Sequence, residues 1–380
     1  MRAKVFIAGC ALLVIVGVAV YRHSQRSVPA VTPKPSEQVS APSLPKPRLP
    51  APQMPVAPPP AESESDSTPS TNLIARLMSS DFPRLSAEQV EPYLQKHHRS
   101  AESLLGAFAA TGDRAYLREA LERNPNDPCL NLTAYYQGDA WAAEVSAGGQ
   151  DRNRPASPER RQLLDALAKA APDNAMANYL LALDCFKSGQ SDQAVEQLIA
   201  ASQKSKFKDY LVDAMQNTEE AYRAAGYSEG KAKAIAAATW PLHHLTELRQ
   251  TGHKLIELAA LYRQAGDEAS AQAVEQIGLG LGQRLTQPGS LPIIQQLVGI
   301  GIEQKILGAM DPNRALDGTG QTVQSWLDAL NQQKQAIKSV VRASDILPTL
   351  SDPDLASYFD RIKLFGETAA AEWLLKTHGK

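Results

Sequence analysis

Residues 175–202, AMANYLLALDCFKSGQSDQAVEQLIAAS, constrain the fold of this chain more than any other stretch. They read as two short amphipathic helices joined at Ser188-Gly189-Gln190. Leu180, Leu181, Leu183 and Phe186 make the inner stripe of the first, and Ala194, Leu198 and Ala201 recur at three and four residues in the second. Pro172-Asp173-Asn174 supplies the break and the helix start. Small residues at Ala182 and Ala194 let the two backbones approach closely. A hairpin this short cannot bury its apolar faces alone, so other hairpins must stack on it.

A second segment, residues 253–285, repeats the pattern. Leu258, Ala259, Tyr262, Gly266, Ala271 and Gly278 take the same offsets from the turn glycine as Leu181, Ala182, Cys185, Gly189, Ala194 and Ala201. Residues 100–110 and 114–123 form another hairpin turned at Thr111-Gly112-Asp113, closing on Asn124-Pro125. These features resemble the tetratricopeptide repeat over about residues 100–285. The resemblance implies an all-α chain folded as a right-handed solenoid of stacked hairpins. In that architecture the second helices lie outside and the first helices line a concave groove. Groove positions outside the inter-helix stripe are then Asn178 and Asp184, with Glu257 and Arg263, side chains able to hydrogen-bond an extended partner chain.

Proline cuts the chain into tail and body, since half of its 26 prolines fall between positions 29 and 69. At the head, residues 5–21 carry no charge between Lys4 and Arg22. As a helix they span about 25 Å at about 1.5 Å per residue, a little short of a hydrocarbon core of about 30 Å. Tyr21, Arg22 and Lys4 can snorkel to make up the difference. The reading is a signal anchor and transmembrane helix over residues 1–21. A cleaved signal peptide at Gly17-Val18-Ala19 and a lipobox at Ile7-Ala8-Gly9-Cys10 are the rivals. Residues 22–72, rich in Pro alternating with Ala, Lys and Ser, predict a disordered stalk of polyproline II character. The expected arrangement is a single-pass membrane protein with its body outside the cytoplasm, periplasmic if the host is bacterial.

From residue 73 onward helical periodicity is sustained. A helical-repeat region is expected over residues 73–285 and a helical cap over residues 286–380. Ser86 with Gln89 reads as a capping box. Residues 138–156 read as a Gly-, Asn- and Arg-bearing loop, and Ser157-Pro158 restarts helix. Helices are further expected over residues 207–225, 229–239, 293–310, 321–343 and 352–375. Gly278 and Gly282 lie four apart on one helical face and predict a close helix crossing, as do Gly299 and Gly301.

The chemistry-bearing residues are few. A formal net charge of −2 gives no bias toward nucleic acid. No phosphate loop, nucleophile elbow or metalloprotease helix is present, so no cofactor and no metal are expected. His244 and Glu247 make an imidazole–carboxylate pair three residues apart, with His243 beside them and His253 beyond a loop. Cys129 and Cys185, each on the first helix of a unit, read as buried thiols, with a disulfide as the alternative outside the cytoplasm. Asn131-Leu132-Thr133 is a glycosylation sequon by pattern. The functional expectation is therefore a non-enzymatic, membrane-anchored scaffold that binds a protein or peptide partner, touches the membrane through residues 5–21 and does not bind nucleic acid. The alternative is an envelope-associated hydrolase or metal-dependent enzyme using His243, His244 and Glu247.

Overall fold

The computed structural model describes residues 71–146, 154–287, 292–316 and 320–379. The expected anchor over residues 1–21 and almost all of the stalk lie outside them. The described residues are all-α. They contain no strand, only isolated bridges pairing Asn174 with Lys206 and Ala315 with Thr322. No described helix is long and apolar enough to cross a membrane.

The first helices form where caps and turn residues stand. α1 (Thr71–Met78) starts two residues before the expected boundary and buries Ile74 and Leu77. α2 (Ala87–Lys96) opens on the expected capping box: Ser86 Oγ accepts from Gln89 N, and Gln89 Oε1 accepts from Ser86 N. α3 (Ala101–Thr111) and α4 (Arg114–Arg123) turn on Gly112, whose φ of 79° is the left-handed region glycine enters freely. α5 (Pro128–Gln137) is capped by Asp127, and its Asn131 is buried with its amide bonded to Pro125 O and Asp127 O. The sequon is therefore closed to a glycan while the protein is folded.

Residues 138–156 depart from the expected loop. Asp139–Ser146 form a helix, α6, because Ala140, Ala142 and Ala143 supply propensity that outweighs the flanking glycines. After it come α7 (Pro158–Ala170), α8 (Met176–Lys187) and α9 (Ser191–Gln203). The α8–α9 turn carries Gly189 at φ 72°. α10 (Leu211–Ala224) begins four residues later than expected. The segment before it folds back instead, with Asn174 Nδ2 donating to Lys208 O and Ala175 N to Lys206 O. α11 (Glu229–Thr239) follows at the predicted positions.

α12 (His243–Gln264) is one continuous helix, so His253 is not separated from His243 and His244 by a loop. No glycine or proline pair interrupts it, and Gly252 is accommodated where Ile302 packs against its bare Cα. α13 (Glu268–Thr286) and α14 (Ile293–Leu307) cross at the predicted glycines. A Cβ on Gly278 would sit 2.3 Å from Ile306 Cδ1, and one on Gly299 would sit 2.6 Å from Gly282 O. Gly301 plays no part, with nothing within 4 Å of its Cβ position. α15 (Val323–Val340) runs into two 3-10 turns at Val341–Asp345 and Leu347–Thr349. The single helix expected over residues 352–375 is two, α16 (Asp352–Phe365) and α17 (Glu367–His378), broken at Gly366 with φ 80°. Phe365, the last residue of α16, is 57% exposed.

The stacking is not in chain order. The two hairpins that share six offsets stack on each other, α8 on α12 and α9 on α13. In both, Ala182 and Ala194 or their counterparts Ala259 and Ala271 are buried at the interface positions. The hairpin between them in sequence, α10–α11, does not intervene. It turns away to pack α10 on α3 and α11 on α16. Gly106 permits the first of these contacts, since a Cβ there would lie 2.3 Å from Asn217 O. Asp352 fixes the second: its carboxylate accepts from Ser228 Oγ, Gly230 N and Lys231 N, capping α11 from the other end of the chain. Lys233 then bridges Glu229 and Asp360. α8 consequently has no solvent face over Met176–Cys185, where every residue is buried. Its three buried leucines contribute about 1.5–3 kcal/mol each.

Candidate functional site

Two of the four expected groove residues lie on α8. Asn178 is 6% exposed, and its amide donates to Gln197 Oε1 at 2.7 Å. Asp184 is 5% exposed, accepts from Ala156 N and pairs with Arg161 at 2.6 Å. Both are engaged inside the body, Asn178 by Gln197 of α9 and Asp184 by Arg161 of α7 and the backbone just before it. Glu257 is exposed and pairs with Lys254. Arg263 is half-buried against Glu275 and Glu268. Each of the four is bonded to residues outside the set.

The histidine region is assembled by α5, α6 and the first turns of α12. Tyr136 donates its hydroxyl to Glu247 Oε2 at 2.7 Å and Tyr135 to Oε1 at 3.3 Å, while Lys187 Nζ stands 3.9 Å from Oε1. Burial, and then the Glu247 carboxylate, hold both phenols far above their ordinary range, so they act as donors. Arg160 is buried over the Tyr135 ring at 4.1 Å and reaches Glu144 Oε2 at 2.7 Å. His244 is buried with Nε2 3.5 Å from Asp209 Oδ2. Burial opposes charge on Asp209, but His244 and the Leu211 N–H outweigh it and hold that carboxyl below its usual range. His243 turns the other way, its ring 5.3 Å from Trp141 and 5.9 Å from Tyr136. Burial, followed by repulsion from His244 and Arg160, brings its pKa down to about 4, so it is neutral at pH 7. The three candidate residues thus diverge: Glu247 to two tyrosines, His244 to Asp209, His243 to an aromatic wall. Among the described residues no group of three or more His, Cys, Asp or Glu side chains is arranged to hold a metal ion. Cys129 and Cys185 are unpaired, and burial pushes the Cys129 thiol far up.

His243 opens onto a cleft of about 270 Å³ where α3, α4, α5, α6 and the α11–α12 corner meet. Phe108, Trp141, Trp240 and Pro241 give it flat apolar walls. Arg84 and Arg114 stand at its mouth, both exposed. Arg84 Nη1 donates to Ala109 O at 2.9 Å and Arg114 Nε to Gln137 O at 3.1 Å, which fixes the two guanidiniums. No carboxylate among the described residues pairs with either. Gly112 makes room for the first, since its Cβ position lies 3.4 Å from Arg84 Cζ. Trp240 is held from behind by its Nε1–H bond to Thr218 Oγ1 at 2.8 Å. Sequence reading passes over Arg84 and Arg114. Arg84 is an unremarkable residue before a helix cap and Arg114 begins a helix, and only their bonds to Ala109 of α3 and Gln137 of α5 bring them to one opening.

No protein-family model matches this chain, and no match is found among curated proteins or solved structures.

Proposed function

We propose that this chain is a tetratricopeptide-like binding module that holds a protein or peptide partner, tethered to a membrane by residues 5–21 through the Pro-rich stretch 22–72. In this reading the body is displayed outside the cytoplasm, and the two matched hairpins are the seed of a right-handed stack. The observation that supports binding over catalysis is the division of labour among its polar side chains. Among those with catalytic potential, the Glu247 carboxylate accepts from the Tyr135 and Tyr136 hydroxyls, and His244 is turned from it toward Asp209 at 3.5 Å. Among the described residues the two guanidiniums beside the apolar cleft bond only backbone carbonyls, and both side chains are exposed.

The test is capture by the full chain from detergent-solubilised extract, with the captured partner then purified and titrated directly. Retention of a partner at one-to-one stoichiometry supports the reading. A body that captures nothing, yet turns over ester or peptide substrates in a manner lost in His244→Ala, would replace it with the enzymatic alternative.

A further inference from the structure

The cleft at the α11–α12 corner carries two independent demands on whatever fills it. The first is charge. Two guanidiniums lie at one opening, each oriented by a bond to a carbonyl, with no carboxylate among the described residues to neutralise either. Four half-buried or buried arginines elsewhere pair with acids, Arg99 with Glu119, Arg160 with Glu144, Arg161 with Asp184 and Arg263 with Glu275, while Arg284 shares with this pair its bonding to backbone carbonyls. A planar, pre-oriented guanidinium fork recognises an oxyanion through two parallel N–H bonds.

The second demand is shape. The walls are two indoles, a phenyl ring and a proline ring, which favour a flat apolar body stacked between them. The volume of about 270 Å³ falls just below the range of about 300–1,000 Å³ usual for ligand pockets, so one residue-sized group fills it. His243, a neutral member of the lining, adds a hydrogen-bonding group and no third cation at pH 7. That suits a singly charged carboxylate better than a phosphate dianion.

We propose that this cleft binds an aromatic residue bearing a free α-carboxylate, the ring between Trp141 and Trp240 and the carboxylate on Arg84 and Arg114. The chemistry is shared by a peptide's C-terminal aromatic residue and by a free aromatic acid. It rests on the binding-module reading above and deepens it by naming what that module grips.

The experiment is isothermal titration of the full chain with three probes: N-acetyl-phenylalanine, N-acetyl-phenylalanine amide, and a tetrapeptide ending in phenylalanine with a free carboxylate. The acid is expected to bind and the amide to bind at least about tenfold more weakly. Arg84→Gln with Arg114→Gln should lose at least about tenfold in affinity with the melting midpoint unchanged. Binding should also weaken as salt rises from about 50 to about 500 mM. Should the arginine pair prove needed for folding, Trp141→Ala in the cleft lining gives the same loss from the shape side. A tetrapeptide about tenfold tighter than the acid assigns the site to a peptide C-terminus, and equal affinities assign it to free aromatic acids. Equal binding of acid and amide, undiminished binding by the double-Gln chain, or no heat from any probe overturns the proposal. The last result together with successful partner capture would leave the binding-module reading standing and move its contact elsewhere.

Discussion

Glu367 offers the sharpest test of how this body is held together. It is the first residue of α17, fully buried, with Oε2 accepting from Ile293 N at 2.7 Å and Oε1 without a partner. Two helix N-termini, those of α14 and α17, favour the charged carboxylate, typically by about 0.3–1 kcal/mol each. Burial opposes them and wins, pushing the pKa from 4.5 up to about 8 despite the Ile293 N–H. The folded state therefore binds this proton more tightly than the unfolded chain. The associated stability is complete below about pH 4.5 and is lost as pH rises through about 8.

At about 1.36 kcal/mol per unit, the cost accumulated between about pH 5 and about pH 8 is about 3–4 kcal/mol. Glu367→Gln keeps an acceptor for Ile293 and cannot ionise. Urea unfolding at intervals across that range should find the variant near wild type at pH 5 and more stable by a few kcal/mol at pH 8. Glu303, raised to about 7 by burial against the Thr286 and Trp326 bonds, adds its own slope to both proteins and cancels in the difference. Parallel stability curves for the two proteins would refute the reasoning, because they would mean that Glu367 is already solvated.

Three further outcomes follow from the packing. Ala271 is fully buried at the α12–α13 contact, so Ala271→Leu should overfill it and cost about 1–3 kcal/mol in urea unfolding; unchanged stability would mean that the hairpin is looser than described. Asp352→Ala removes the long-range cap of α11 and should cost about 0.5–2 kcal/mol, while Gly230→Ala drives a Cβ to 2.4 Å from Asp352 O and should cost at least as much. Near-neutral values for both would detach α16 from α11. Removing residues 1–70 should leave the melting midpoint within about two degrees, whereas removing residues 1–78 also strips the buried Ile74 and Leu77 and should lower it clearly.

The sequence by itself determined the local structure, because turns, caps and periodicity are written in neighbouring residues. Gly112, Gly189 and Gly266 stand at positive φ where a hairpin must reverse, and Ser86 with Gln89 closes a box within one turn. The same locality made Gly278 and Gly282 legible as a crossing, since their spacing of four already places them on one face. The helix from Asp139 to Ser146 and the break at Gly366 were hidden because single glycines mark either a loop or a cap until packing selects one.

Only the tertiary structure decided which hairpin meets which. The pairings of α3 with α10 and of α11 with α16 join segments far apart in the chain, through a bare Cα at Gly106 and a carboxylate at Asp352. No periodicity encodes such partners, because loop closure grows only slowly more costly with length and distant segments compete with near ones. The same choice buried Asn178 and Asp184, which the helical pattern had turned outward, and it gathered Arg84, Arg114 and two tryptophans at one opening. Burial is a property of the assembled body, and so is the cleft.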